Sequence, residues 1–111
     1  MTHKDDQLYL RHILEAIGQI EEYVVGCDEA QFLATRLIQD AVIRQCEIIG
    51  EATKNLLPET RNKAADIPWR DIAGMRDKLI HQYFGVDLAS VWLTVKEDLP
   101  VLKSTIAQLL E

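Results

Sequence analysis

Apolar residues recur in this chain at intervals of three and four over long stretches free of proline, and that period commits most of its length to α-helix. Leu10, Ile13, Leu14, Ile17, Ile20 and Val24 form one stripe, opposed by Arg11, Glu15, Gln19 and Glu22, so an amphipathic helix is expected over roughly residues 5 to 25. Gly26 suits its C-terminus. Asp28, with Gln31 three residues on, fits the N-cap of a second helix that nothing breaks before Pro58, a run of about 28 residues. Its apolar positions, Leu33, Ala34, Leu37, Ile38, Ala41, Val42, Ile48, Ile49, Ala52 and Leu56, make a band too wide for one neighbour, which predicts the central helix. Glu59 to Ile67 lies between Pro58 and Pro68, has no apolar face of its own and reads as a linker with a helical turn or two. Pro68 suits the first turn of a third helix ending near Phe84 and Gly85. Beyond Asp87, a candidate N-cap, Leu88, Val91, Trp92, Val95, Leu99, Leu102, Ile106 and Leu109 keep one helical phase past Pro100. That predicts either one kinked helix or two nearly collinear ones with Asp98 capping the second. The expected fold is all-α: an antiparallel bundle of four main helices plus a short connecting helical turn, in a single domain over 1–111.

At 111 residues such a bundle has one core, and its exposed apolar seams call for an oligomer. No stretch reaches the ~18 apolar residues of a membrane span and Met1 to Asp6 carries no secretory apolar region, so a cytosolic protein is expected. Cys27 and Cys46 are too few and too isolated for a disulfide framework or a zinc cluster. No clustered His, Cys, Asp and Glu has ligand spacing, and no metal or other cofactor is expected. Twelve Lys and Arg against 18 Asp and Glu leave a net charge of -6, which repels phosphate at long range and also fits a basic protein partner. Arg70, Arg76 and Lys78 fall close together and form a local basic patch, with Arg70 and Lys78 as candidate phosphate contacts.

The segment Arg76-Asp77-Lys78-Leu79-Ile80-His81-Gln82-Tyr83 concentrates the chemistry. At ~100° per residue, Arg76 shares the apolar stripe of Ile72, Leu79, Ile80 and Tyr83, a costly place for a permanent charge unless it meets a polar partner at a subunit seam or cleft floor. Asp77 and His81, four residues apart, share the adjoining face, where the carboxylate could orient the imidazole. Lys78 and Gln82 point toward water. A solvated flank with incidental pairing is the ordinary meaning of such a helix. Metal-independent RNA cleavage, however, needs a base for the ribose 2′-OH, a cation for the charge developing at phosphorus and an acid for the departing 5′-oxygen; His81 and Arg76 are groups of those types.

The Arg-x4-His-x-Tyr pattern of Arg76, His81 and Tyr83 is followed by Phe84-Gly85-Val86-Asp87 and preceded by Ile67-Pro68-Trp69-Arg70-Asp71-Ile72-Ala73-Gly74-Met75. With Ile48-Ile49-Gly50-Glu51-Ala52 it resembles the HEPN domains of the HepT family, and the similarity runs over nearly the whole chain. The resemblance implies an endoribonuclease toxin of a type VII toxin-antitoxin system, acting on RNA, with an MntA-like minimal nucleotidyltransferase as antitoxin. It implies a homodimer, possible in higher assemblies too, whose two motifs line one cleft. That pairing answers a geometric difficulty, since five residues along a helix set Arg76 and His81 roughly 140° apart. Tyr83 has two readings: an aromatic packed at the seam, or, by the resemblance, the acceptor of AMP groups that silence the toxin. Glu47 and Glu51 stand three residues from Arg44 and Lys54 respectively, spacing that suits intrahelical pairing. A supporting role in which Glu51 holds a motif side chain rests on the resemblance. His3 and His12 read as exposed, and Trp69 and Trp92 as core or interface anchors. The competing readings are a non-catalytic helical adaptor for a nucleotidyltransferase, which the acidic charge would serve, and a purely structural helical oligomer.

Overall fold

The computed structural model describes residues 4–74 and 87–111, and among these every regular element is helical. The protein has the all-α, HEPN-like helical fold expected, and among the described residues the helices are interrupted more often than the sequence suggested. Helix α1 spans Lys4–Tyr23 and buries Leu10, Ile13, Ile17 and Ile20 of the stripe visible in the sequence, together with Ala16, while Leu14 and Val24 are partly buried at its margins. It unwinds through Val24 and closes at Gly26, whose φ of 70° is the left-handed conformation that glycine adopts without steric cost.

The expected unbroken second helix is divided. Helix α2 covers Glu29–Ala34 and helix α3 covers Arg36–Lys54, separated by Thr35 with extended backbone (φ −118°, ψ 94°). The Asp28–Gln31 capping box is present in both directions: Gln31 N–H donates to Asp28 Oδ1 at 2.8 Å and Asp28 N–H donates to Gln31 Oε1 at 3.0 Å. The break at Thr35 is stabilised by side chains. Gln39 Nε2 donates to the carbonyls of Phe32 at 2.8 Å and Leu33 at 3.0 Å, and the Thr35 hydroxyl donates to Gln31 O at 2.7 Å. Carbonyls that a continuous helix would have bonded internally thus find other partners. The break also sets Phe32 in the core, 5.2 Å from the Trp92 ring, while Leu33 and Leu37 from the expected apolar band stay exposed at 44% and 80%. The band looked too wide because two helices of different direction share it. Helix α3 buries Val42, Cys46, Ile49 and Ala52 against α1, which also contacts the C-terminal helix over Leu99–Leu109.

The stretch read as a linker is a packed part of the fold. Helix α4 spans Pro58–Asn62, and Thr60, Ala64 and Ile67 around it are all buried. Its anchor is Asp6 on α1, only 1% exposed, which accepts from the Leu57 N–H at 3.2 Å and, in a short hydrogen bond, from the Thr60 hydroxyl. Arg61 Nη2 donates to Leu56 O at 3.0 Å, satisfying a carbonyl just past the end of α3. Trp69 Nε1 donates to Arg61 O at 3.0 Å and to Ala64 O at 2.9 Å, so the buried indole fastens the start of helix α5, described over 69–74, to this segment.

Beyond the undescribed residues, Asp87 caps helix α6, Leu88–Leu93, as its position suggested. A π-helical turn over Thr94–Asp98 joins it to helix α7, Leu99–Leu109, with helical backbone on both sides of the join, and the Leu99 N–H reaches back to Thr94 O. Of the two expected forms, the continuous one is found, and the Asp98 side chain makes no capping bond. The extra residue in the turn absorbs the misfit at Pro100, which has no N–H and would otherwise crowd the preceding turn. Val91, Trp92, Val95, Leu99, Leu102 and Ile106 accordingly remain in one buried stripe.

Candidate functional site

Arg76, Asp77, Lys78, His81 and Tyr83 lie outside the described residues. Of the other residues singled out by sequence, Arg70 is exposed in the first turn of α5, and Glu51 is exposed on α3. Glu51 has company. It lines an open cleft of about 350 Å³ between α1 and α3, together with Tyr9, His12, Arg44, Glu47, Ile48, Ala52 and Asn55.

The cleft follows from two helical spacings. On α3, residues 44, 47, 48, 51 and 55 fall at intervals of three, four and seven, so Arg44, Glu47, Glu51 and Asn55 run down one face beside Ile48. On α1, Tyr9 and His12 are three apart and stand edge to face, with ring centroids 6.3 Å apart and planes inclined at 80°. The apolar stripes of α1 and α3 pack together, which brings these flanking polar rows opposite each other. Arg44 Nη1 meets Glu47 Oε2 at 3.5 Å, the intrahelical pairing expected from the spacing. Asn55, at the C-cap of α3, donates from Nδ2 to Glu51 O at 2.9 Å. The lining therefore holds two carboxylates against one guanidinium, with an aromatic pair on the facing wall and Ile48 and Ala52 as apolar surface.

Behind the cleft, Cys46 is buried and its thiol is pushed up to about 12, first by burial and then by the neighbouring Glu47 carboxylate. It is a core residue with negligible thiolate at neutral pH. The Asp87 carboxyl at the head of α6 is held below the usual carboxylate range, first by the Ser90 hydroxyl, which donates to Oδ2 at 2.8 Å. Trp69 and Trp92 are both core residues, and His12 is exposed as read and also forms part of the cleft wall. Sequence reasoning missed Tyr9, His12 and Asn55 as lining residues. The α3 row could have been read from its spacing; its pairing with the α1 row could not, because that depends on how the two stripes dock.

This helical fold, and a cleft built around the glutamate of the Ile-Gly-Glu-Ala segment, are the setting in which the comparisons with known proteins fall. The chain belongs to the ribonuclease HepT-like family, whose model matches residues 13–109. Among its relatives, a Thermococcus cleftensis protein named "Probable ribonuclease HepT" is 50% identical over 108 residues, covering 97% of this chain and 96% of its own. A Caldanaerobacter subterraneus protein named as a candidate RNase is 42% identical over 108 residues, with 97% and 96% covered. A Methanocaldococcus jannaschii protein named as a gamma-glutamylcyclotransferase and candidate RNase is 53% identical over 108 residues, 97% of this chain and 49% of its own length; the chain spans about half of that relative. No solved structure matches the chain significantly. No described helix is long and apolar enough to cross a membrane.

Proposed function

We propose that this protein is a metal-independent endoribonuclease and the toxin of a type VII toxin-antitoxin pair. The observation that carries the reading is the family match over residues 13–109, which takes in Arg76, His81 and Tyr83 as well as the helical frame. In this reading His81 takes the proton from a ribose 2′-OH, the 2′-oxygen attacks phosphorus, and the bond to the 5′-oxygen breaks as that oxygen is protonated, leaving a 2′,3′-cyclic phosphate. Arg76 stabilises the charge on the phosphoryl oxygens with its planar fork. Asp77 orients His81, Glu51 supports the motif from α3, and Arg70 and Lys78 contact flanking phosphates. A homodimer brings two copies of Arg76 and His81 to one cleft, which removes the difficulty of their ~140° separation on one helix. An MntA-like nucleotidyltransferase silences the toxin by adding AMP to Tyr83, whose new phosphate competes with RNA for the same cations.

Purified protein incubated with single-stranded RNA in the presence of EDTA tests the catalytic reading. Wild type should release cyclic-phosphate ends, whereas Arg76→Ala and His81→Ala should release none while still forming dimers; undiminished cleavage by either variant would refute the assignment. For Tyr83, incubation with the transferase and ATP should add AMP mass to wild type, and an equal gain in Tyr83→Phe would remove it as the acceptor. The net charge of -6 favours a second reading, a non-catalytic adaptor for a basic or nucleotidyltransferase partner. Growth on induced expression separates the two: a toxin arrests cells as wild type but not as His81→Ala, and an adaptor is indifferent to the substitution.

A further inference from the structure

We propose that the cleft between α1 and α3 is a nucleobase subsite, which receives an amino-bearing base of single-stranded RNA, guanine best, beside the bond that is cut. The proposal rests on the ribonuclease reading and deepens it. At about 350 Å³ the cleft is at the small end of ligand-binding sites, large enough for one splayed base and too small for a duplex or a protein helix. Its charge selects against the backbone of the nucleic acid. Glu47 and Glu51 outnumber Arg44, and Arg44 is already engaged by Glu47 at 3.5 Å, so a phosphate would meet repulsion there. A base carries no charge and offers what this lining can use: a flat apolar face and edge donors.

The lining is arranged for both. Tyr9 and His12 form an aromatic wall, and Ile48 and Ala52 give apolar surface, the combination on which unpaired bases stack. The Glu47 side chain is only 21% exposed and held by Arg44, and its two oxygens retain acceptor sites beyond that contact. A fixed carboxylate accepts two parallel hydrogen bonds from the N1–H and 2-amino group of guanine. Adenine and cytosine present a single amino donor, and uracil presents one N–H between two carbonyls that a carboxylate repels. Glu51 lines the cleft; given the supporting role proposed for it above, a base seated here stands beside the bond that is cut.

The test compares wild type with His12→Ala and Glu47→Gln, two substitutions in the cleft wall whose helical content is checked by circular dichroism. Cleavage is measured on oligouridylates carrying one guanosine, adenosine or cytidine, and binding by NMR titration with 2′-O-methylated GpU and UpU, which resist cutting. Wild type should cut beside guanosine about tenfold faster in kcat/KM than in oligouridylate alone, and GpU should shift the resonances of Tyr9, Ile48 and Ala52. Glu47→Gln should lose most of that preference through KM, and His12→Ala should weaken GpU several-fold. An unchanged guanosine preference in Glu47→Gln, or GpU and UpU binding alike without shifts at the cleft, overturns the subsite. GpU binding in the cleft of a protein that cuts no RNA would sink the ribonuclease reading and leave the base site standing. RNA cleavage without base preference or cleft shifts would do the reverse.

Discussion

Asp6 is the residue whose removal should disturb this fold most for its size. It is 1% exposed and accepts from two donors that lie more than fifty residues away, the Leu57 N–H at 3.2 Å and the Thr60 hydroxyl. Hydrogen bonds to a charged group contribute about 1.5–3 kcal/mol each, and a buried donor left without an acceptor costs ~1–3 kcal/mol. Thr60 is 2% exposed, so its hydroxyl bears most of that penalty in Asp6→Ala, whereas the Leu57 N–H, at a partly open position, recovers some of its loss from water. Against these stands the relief from desolvating a carboxylate, which reduces the total. The sum is a loss of about 3 kcal/mol for Asp6→Ala and about half that for the isosteric Asp6→Asn. For a chain of this size 3 kcal/mol corresponds to a fall in Tm of roughly 12 °C. Urea and thermal unfolding followed by circular dichroism measure it, and a double-mutant cycle with Thr60→Val should return a coupling of about 1–2 kcal/mol. If Asp6→Ala unfolds within about 0.5 kcal/mol of wild type, or the cycle shows no coupling, the account of Asp6 as the tie between α1 and the α3–α4 bend is wrong.

The cysteines should differ in reactivity: with its thiol pushed up to about 12, Cys46 should resist a thiol reagent at pH 8 in the native protein and react only after unfolding, while the half-buried Cys27 reacts first. Asp87 should make the stability pH-dependent in one direction. Its folded-state carboxyl titrates below the ordinary value near ~3.9, so its contribution is present above that value and disappears as pH falls through the lowered one; Asp87→Ala and wild type should converge in strong acid and separate at neutral pH. Gly26→Ala should cost about 1 kcal/mol in urea unfolding from the left-handed backbone alone, because nothing stands within 4 Å of the added methyl group.

Features of the fold determined by neighbouring residues were legible in the sequence. The α1 stripe, the Asp28–Gln31 capping box, the Asp87 cap and the glycine at position 26 each depend on residues within a turn or two, and all are found. The break at Thr35 escaped notice because no proline or glycine marks it. It depends on Gln39 reaching back to two carbonyls and on Phe32 meeting Trp92 sixty residues later. The segment around α4 looked polar because its burial is supplied from outside, by Asp6 beneath Thr60 and by Trp69 against the carbonyls of Arg61 and Ala64. The candidate cleft divides the same way: Arg44, Glu47, Glu51 and Asn55 share a visible spacing, and Tyr9 and His12 join them only through the docking of α1 on α3.

On the proposed reading these non-local ties bear on function, because they anchor the described residues that flank the stretch carrying Arg76 and His81. The chain approaches it through α5, whose first residues are anchored by the Trp69 indole on two carbonyls, and leaves it at Asp87, where the side chain caps α6 through the Ser90 N–H and hydroxyl. Asp6 then links the approach to the cleft. Through Leu57 and Thr60 it holds the bend after α3 against the first turns of α1, so Tyr9, one turn beyond Asp6, keeps its register with Ala52 and Asn55 near the end of α3. A loosened Asp6 contact would therefore shift the start of α5 and the walls of the cleft together. Groups that act on one phosphate must be held within fractions of an ångström, and on the proposed ribonuclease reading the buried polar contacts of Asp6, Thr60 and Trp69 position the approach to them from the segment whose composition looked most like a linker.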